Sequence, residues 1–197
     1  MKNDRRFCRT EERVTAAFAE LLNEKGFSQL TVGDIAARAD INRATFYQHY
    51  NDKYELLHAC ECRLLAAADE RIRPMLTVDV RALYRSGALF PGSVELLRYY
   101  KAHARLILGL LENGEPFSFR TQMMNSGEAH LRELLDRQFA GYATYPLRYL
   151  AAYILSAHFS VVIEWLKNGA VESEGEIAAL ISRLTLHGAL AAPGLFD

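Results

Sequence analysis

The chain has 197 residues, 50% of them hydrophobic and 24% charged, which is the composition of a globular protein and excludes disordered, collagen-like and disulfide-scaffold classes. Lys and Arg number 23 against 24 Asp and Glu, so the net charge of −1 draws in neither nucleic acid nor membrane, and any such partner must be argued from local geometry. Cys8, Cys60 and Cys62 are an odd set without framework spacing, which points to a reducing, cytoplasmic setting; Arg105, His158 and Glu164 cut the longest apolar stretches, so neither a signal peptide nor a membrane span is expected.

Five prolines and Leu/Ala recurring at three and four residues predict an all-α fold. Thr10 reads as the N-cap of a first helix over residues 11–25, with Val14, Ala17, Phe18, Leu21 and Leu22 inward and Gly26 as a left-handed stop. Thr31 and Asp34 form a short capping box for a brief second helix burying Ile35, Ala36 and Ala39. Asn42 caps a third over residues 43–50, with Phe46 and Tyr50 inward, and Asp52 with Glu55 opens a fourth that runs to Pro74.

Residues 75–92 are the least regular stretch and end in the turn signal Pro91-Gly92. Ser93 is the expected cap of a long helix reaching Asn113-Gly114, followed by one element carrying Phe117, Phe119, Met123 and Met124 and another over residues 128–139. Pro146 suits the first position of a helix to Lys167, and Ser173 with Glu176 makes a capping box for a last helix over residues 174–190.

The stretch from Thr31 to Lys53 carries function. Two short helices separated by Ala39-Asp40-Ile41-Asn42 have helix-turn-helix spacing, and a second helix can enter a major groove about 12 Å wide only if its leading residues are small or flexible and its back is anchored. Arg43, Ala44 and Thr45 meet the first demand, and Phe46 with Tyr50 the second. Asn42, Arg43, Ala44, Thr45, Tyr47 and His49 are therefore candidate DNA-reading residues, with Thr31, Tyr47 and Lys53 as candidate phosphate contacts near helix starts.

At these residues the sequence resembles the TetR family of bacterial transcriptional regulators. The segments that carry the resemblance are Thr31-Val32-Gly33-Asp34-Ile35-Ala36, then Ala44-Thr45-Phe46-Tyr47-Gln48-His49-Tyr50, then Lys53-Tyr54-Glu55-Leu56. Asp40 departs from the family's usual turn glycine, which Asp tolerates better than most residues. The resemblance implies a DNA-binding domain over residues 1–53, an effector-binding and dimerisation domain over residues 54–197, and a homodimer on a double-stranded, palindromic operator. The implied activity is repression relieved by a small-molecule effector; the other reading is a coactivator working through a protein partner. Residues 110–117 and 162–169 resemble the subgroup that includes the dihydroxyacetone-operon activator.

In the C-terminal part, Tyr99, Tyr100, His103, Phe117, Met123 and His158 set polar tips among apolar bodies and are candidate effector-pocket residues. Ile154, Val161, Trp165, Ile177, Leu180, Ile181 and Leu184 exceed what one inward stripe needs, so they are the expected two-fold interface. No metal or cofactor is expected. On a helix His58 and Cys62 share a face but Cys60 lies about 200° away from His58, so the three cannot converge on one ion. The absence of a phosphate-binding glycine loop, nucleophile elbow or His-Glu-x-x-His motif argues against an enzyme.

Overall fold

Apolar residues at three- and four-residue intervals wind into helices along nearly the whole chain in the computed structural model, which describes residues 2–113, 118–141 and 145–191. The α-helices are α1 (Lys2–Gln29), α2 (Val32–Arg38), α3 (Arg43–Tyr47), α4 (Lys53–Ile72), α5 (Val80–Ser86), α6 (Ser93–Ala102), α7 (Ala104–Asn113), α8 (Ser118–Phe139), α9 (Leu147–Lys167) and α10 (Glu174–Leu184). A 3-10 turn, Arg73–Thr77, follows α4, and a π-helical segment, Thr185–Leu190, extends α10. The fold is all-α, with a helix-turn-helix bundle first and a helical domain after it.

Packing divides the described residues into two units, one drawn from Met1–Ala66 and His103–Arg120, the other from Ala67–Ala102 and Thr121–Asp197. This is a different division from a cut at residue 53: α4 changes unit at Ala66 and Ala67, and α7 packs against α1. In the first unit Val14, Phe18, Leu22, Ile35, Phe46 and Leu56 are fully buried and form the core beneath α2 and α3. In the second, Val80, Leu135, Phe139, Ala151, Ile154, Leu186 and Leu190 gather α5, α8, α9 and the π-helical segment into one cluster.

Several boundaries differ from the sequence expectation, each for a local reason. Helix α1 starts at Lys2, so Thr10 is interior rather than a cap and its hydroxyl donates back to the Arg6 carbonyl at 3.0 Å. Gly26, at φ 74° and ψ 163°, ends the regular part of α1 where expected. Helix α3 closes at Tyr47 rather than residue 50, the backbone N–H of Tyr50 still reaching the Phe46 carbonyl at 3.0 Å. The long central helix is two helices, broken at His103, and Ser93 is its first residue with a buried hydroxyl that has no hydrogen-bond partner, not a side-chain cap. The two elements expected before residue 140 are the single helix α8; Pro146 stands one residue before α9; α10 ends at Leu184.

By length and composition α9 could cross a membrane, with a mean hydropathy of 1.4 over 18 residues, although no span was expected. Its Ala151, Ile154, Phe159, Val162, Trp165 and Leu166 are buried within the second unit, and they make up the 33% of that window that is buried.

Candidate nucleic-acid interface

The two short helices are fixed by their own first turns. The Thr31 hydroxyl accepts from the Asp34 N–H at 3.2 Å, while Asp34 Oδ2 accepts from the Thr31 N–H at 2.9 Å and from its hydroxyl at 2.6 Å. Lys25 Nζ adds an ion pair at 2.7 Å, and this ammonium with the Thr31 donors holds the Asp34 carboxyl well below the usual carboxylate range. Asn42 Oδ1 caps α3 by accepting from the Thr45 N–H at 2.6 Å and the Thr45 hydroxyl at 2.9 Å.

Between them Asp40 adopts the left-handed conformation, φ 51°, that the turn requires. Arg13 Nη2 donates to both the Asp40 carbonyl and its Oδ2 at 2.8 Å, so the charge that stands in the family's glycine position is neutralised from α1. The turn is thereby tied down just before α3.

Phe46 is fully buried and fixes the back of α3, which leaves Arg43, Ala44, Tyr47 and Gln48 exposed and Thr45 half-buried. Tyr47 is 55% exposed. Gln48 belongs to this face, one turn on from Ala44. A Cβ at Gly33 would collide with the Arg43 guanidinium, so Arg43 lies folded back over α2. His49 is half-buried, its ring stacked on Phe7 at 3.9 Å between centroids, with Nδ1 buried and without a partner.

Lys53 is placed differently from a phosphate ligand. Its ammonium donates to the carbonyls of Phe27, Leu30 and Ser28 at 2.9, 2.9 and 3.3 Å and lies 4.6 Å from the Phe27 ring centroid. An ammonium has three N–H donors, and all three are engaged at the end of α1. Thr31 likewise gives both of its donors to Asp34. Of the three candidate phosphate contacts, Thr31 and Tyr47 are exposed and Lys53 is half-buried.

Two family models match this chain: "Bacterial regulatory proteins, tetR family" over residues 14–60 and "Transcriptional regulator C-terminal region" over residues 88–187. The second covers half the chain. The chain belongs to the TetR family. It is 47% identical over 55 residues to the HTH-type transcriptional regulator YxbF of Bacillus subtilis, a match covering 27% of this chain and 14% of that protein. An HTH-type regulator of Haemophilus influenzae is 24% identical over 187 residues, 92% of this chain and 87% of that one. Among solved structures, a TetR regulator from Streptococcus agalactiae shares the fold with a TM-score of 0.61 at 22% identity, covering 94% of this chain and 98% of that one. The dihydroxyacetone kinase operon activator DhaS does so at 0.56 and 19%, covering 90% and 94%.

As a TetR-family member the protein is a DNA-binding transcriptional regulator and not an enzyme. Among the described residues no group of three or more His, Cys, Asp and Glu is arranged to hold a metal. In the helical domain Tyr100 is buried, Tyr99 lies beneath the Arg71 guanidinium at 4.4 Å from its ring centroid, and Met123 is half-buried. His103 falls in the first unit, and Phe117 lies outside the described residues. The second unit also holds a polar group the sequence reading missed: Asp69 accepts from the Ser126 hydroxyl at 2.9 Å and lies 3.9 Å from His130.

His158 Nε2 is 2.6 Å from the Thr185 hydroxyl, whose single hydrogen goes to the Ile181 carbonyl at 2.8 Å; Nε2 therefore carries the imidazole hydrogen and donates. Burial lowers the His158 pKa to about 4. Of the expected interface residues, Ile154, Trp165 and Ile177 are consumed by the unit's own core, and the Trp165 Nε1–H donates to the Glu172 carbonyl at 3.1 Å, so these three are not available to a partner. Val161 and Ile181 are half-buried, whereas Leu180 and Leu184 are exposed. Tyr149 and Tyr153, one turn apart on α9, are about as exposed as each other, 63% and 64%, and were not anticipated.

Proposed function

We propose that this TetR-family regulator is a cytoplasmic homodimeric repressor that holds a palindromic operator through α3 and releases it when a small molecule occupies its C-terminal domain. The observation that carries the reading is the α3 face: Arg43, Ala44, Tyr47 and Gln48 stand in solvent while Phe46 is anchored behind them. Arg43, Ala44, Thr45, Tyr47 and Gln48 read bases or flanking phosphates, and Asn42 and Thr31 act by capping the helices that present them. His49 and Lys53 set the position of that surface rather than touching DNA. Residues 1–53 form the reading head, and the remainder serves dimerisation and effector binding.

Exposed Leu180, Leu184, Tyr149 and Tyr153 support a dimer through α9 and α10, since obligate interfaces are apolar. Tyr99, Tyr100, Met123 and His158 all fall in the second unit, which supports an effector site there. The resemblance of residues 110–117 and 162–169 to the dihydroxyacetone-operon activator subgroup supports a kinship with it, and repression is the proposed mode of action.

Genomic DNA fragments captured by the purified chain test the proposal. Enrichment of fragments sharing a palindrome, with Arg43→Ala costing about 1–3 kcal/mol in binding and relaxing one base pair per half-site, is the expected result. A coactivator would enrich no fragment alone and would require a protein partner, and that outcome would overturn direct operator binding.

A further inference from the structure

The helix-turn-helix head lacks the positive field that duplex DNA usually meets. Over residues 10–53 it carries Arg13, Lys25, Arg38, Arg43 and Lys53 against seven Asp and Glu, a net charge of −2. Four of these five cations are engaged inside the unit: Arg13 with Asp40, Lys25 with Asp34, Arg38 with Glu20 and Glu24, and Lys53 with three carbonyls. Phosphate neutralisation nevertheless supplies much of the affinity of any DNA-binding protein.

The missing charge stands at the front of α1. Residues 2–9 hold Lys2, Arg5, Arg6 and Arg9 against Asp4, a net charge of +3. Arg6, Arg9 and Arg13 are exposed, and at about 100° per residue their spacing of three and four puts them within about 60° of one another on one helix face. This segment is docked on either side of the recognition helix. Phe7 stacks on His49 just after α3, and Arg13 grips Asp40 just before it. Arg9 lies in the chain between those two anchors, and Arg6 immediately precedes Phe7.

We propose that the N-terminal segment of α1, Lys2–Arg9, is an arm that binds the sugar–phosphate backbone of duplex DNA beside each half-site, with Arg6 and Arg9 as its phosphate contacts. The inference rests on the operator-binding reading above. Charge complementarity selects this occupant, because a cationic helix face beside a reading helix matches a polyanion. The stack on His49 sets the angle of the arm, which explains why an aromatic pair is placed at a surface where it buries little.

The test compares full-length wild type with Arg6→Gln/Arg9→Gln, which keeps helix-forming residues, and with Arg85→Gln/Arg137→Gln, which removes the same charge from exposed positions of the other unit. Affinity for a captured operator fragment is measured at 50 and 200 mM salt. At a slope of about 0.9 per phosphate, each lost contact flattens the fourfold salt step by about 3.5-fold, so the arm variant should lose about 12-fold of the salt dependence per bound chain. Arg6→Lys/Arg9→Lys should restore it, and the Arg85/Arg137 control should match wild type. A wild-type slope in the arm variant, or an equal loss in the control, would overturn the arm while leaving operator binding intact. Failure of wild type itself to retain any fragment would overturn both.

Discussion

Two capping boxes, Thr31 with Asp34 and Ser173 with Glu176, start α2 and α10 by the same local chemistry, yet the helices that follow are held in different ways. Helix α2 buries only Ile35 and Ala36 and is tied to its surroundings by ion pairs, Lys25 with Asp34 and Arg38 with Glu20 and Glu24. Helix α10 buries Ile177, Ala178 and Ser182 and still leaves Leu180 and Leu184, 45% and 55% exposed, in solvent. The first helix is finished by its own chain. The second keeps apolar surface that a second chain can cover, and this contrast between a polar head and an unfilled apolar face can be tested from both ends.

The largest effect is expected at the apolar end. Leu180→Arg/Leu184→Arg should leave the single chain folded, because both side chains are exposed, but should give monomers in light scattering and weaken binding to a two-half-site operator by about 10²- to 10⁴-fold. A monodisperse dimer from that variant would place the interface elsewhere.

At the polar end, Lys53→Met should cost about 2–3 kcal/mol in denaturant unfolding, since it leaves part-buried carbonyls of Phe27 and Leu30 without their charged donor. Its operator affinity should keep the wild-type salt slope. Unchanged stability with a slope reduced by about one would instead make Lys53 a phosphate ligand.

A smaller and graded effect should come from His158. The unfolded chain takes up the proton near pH 6.5 and the folded chain near pH 4, so between these values the unfolded state binds more protons and stability falls as pH falls. The expected slope is up to about 1.4 kcal/mol per pH unit in that window and flat above it, read from unfolding midpoints. His158→Gln should flatten the curve; an unaltered curve would show that another group titrates there.

Legibility in the sequence followed the range of the interactions. Thr31, Asn42, Ser173 and their partners act over three residues, and the helix-turn-helix follows from such pairs with the apolar period behind them. Helix α8 was not legible as one helix, because the contacts at its middle are long-range: Ser126 bonds Asp69, and Gly127 lies so close to Leu155 of α9 that a Cβ would collide with it. The direction of Lys53 was hidden for a similar reason. A lysine at a helix start resembles a phosphate ligand until the carbonyls at the end of α1 are placed beneath it. Among the expected interface residues the apolar count was visible, but which of them the unit's own core would consume was a matter of three-dimensional packing.

The arginine lying over Gly33 has a consequence for how operator preference can change. Arg43 rests in a shelf made by the missing side chain on the neighbouring helix, and the proposed base-reading role requires it to leave that shelf. Depth of the shelf thus sets how readily the arginine is released. Any residue larger than glycine at position 33 would fill it and turn the guanidinium outward beforehand, at little cost because only a flexible tip has to move. If the proposed role of Arg43 holds, a change in target choice can begin at Gly33, with the recognition helix itself unaltered.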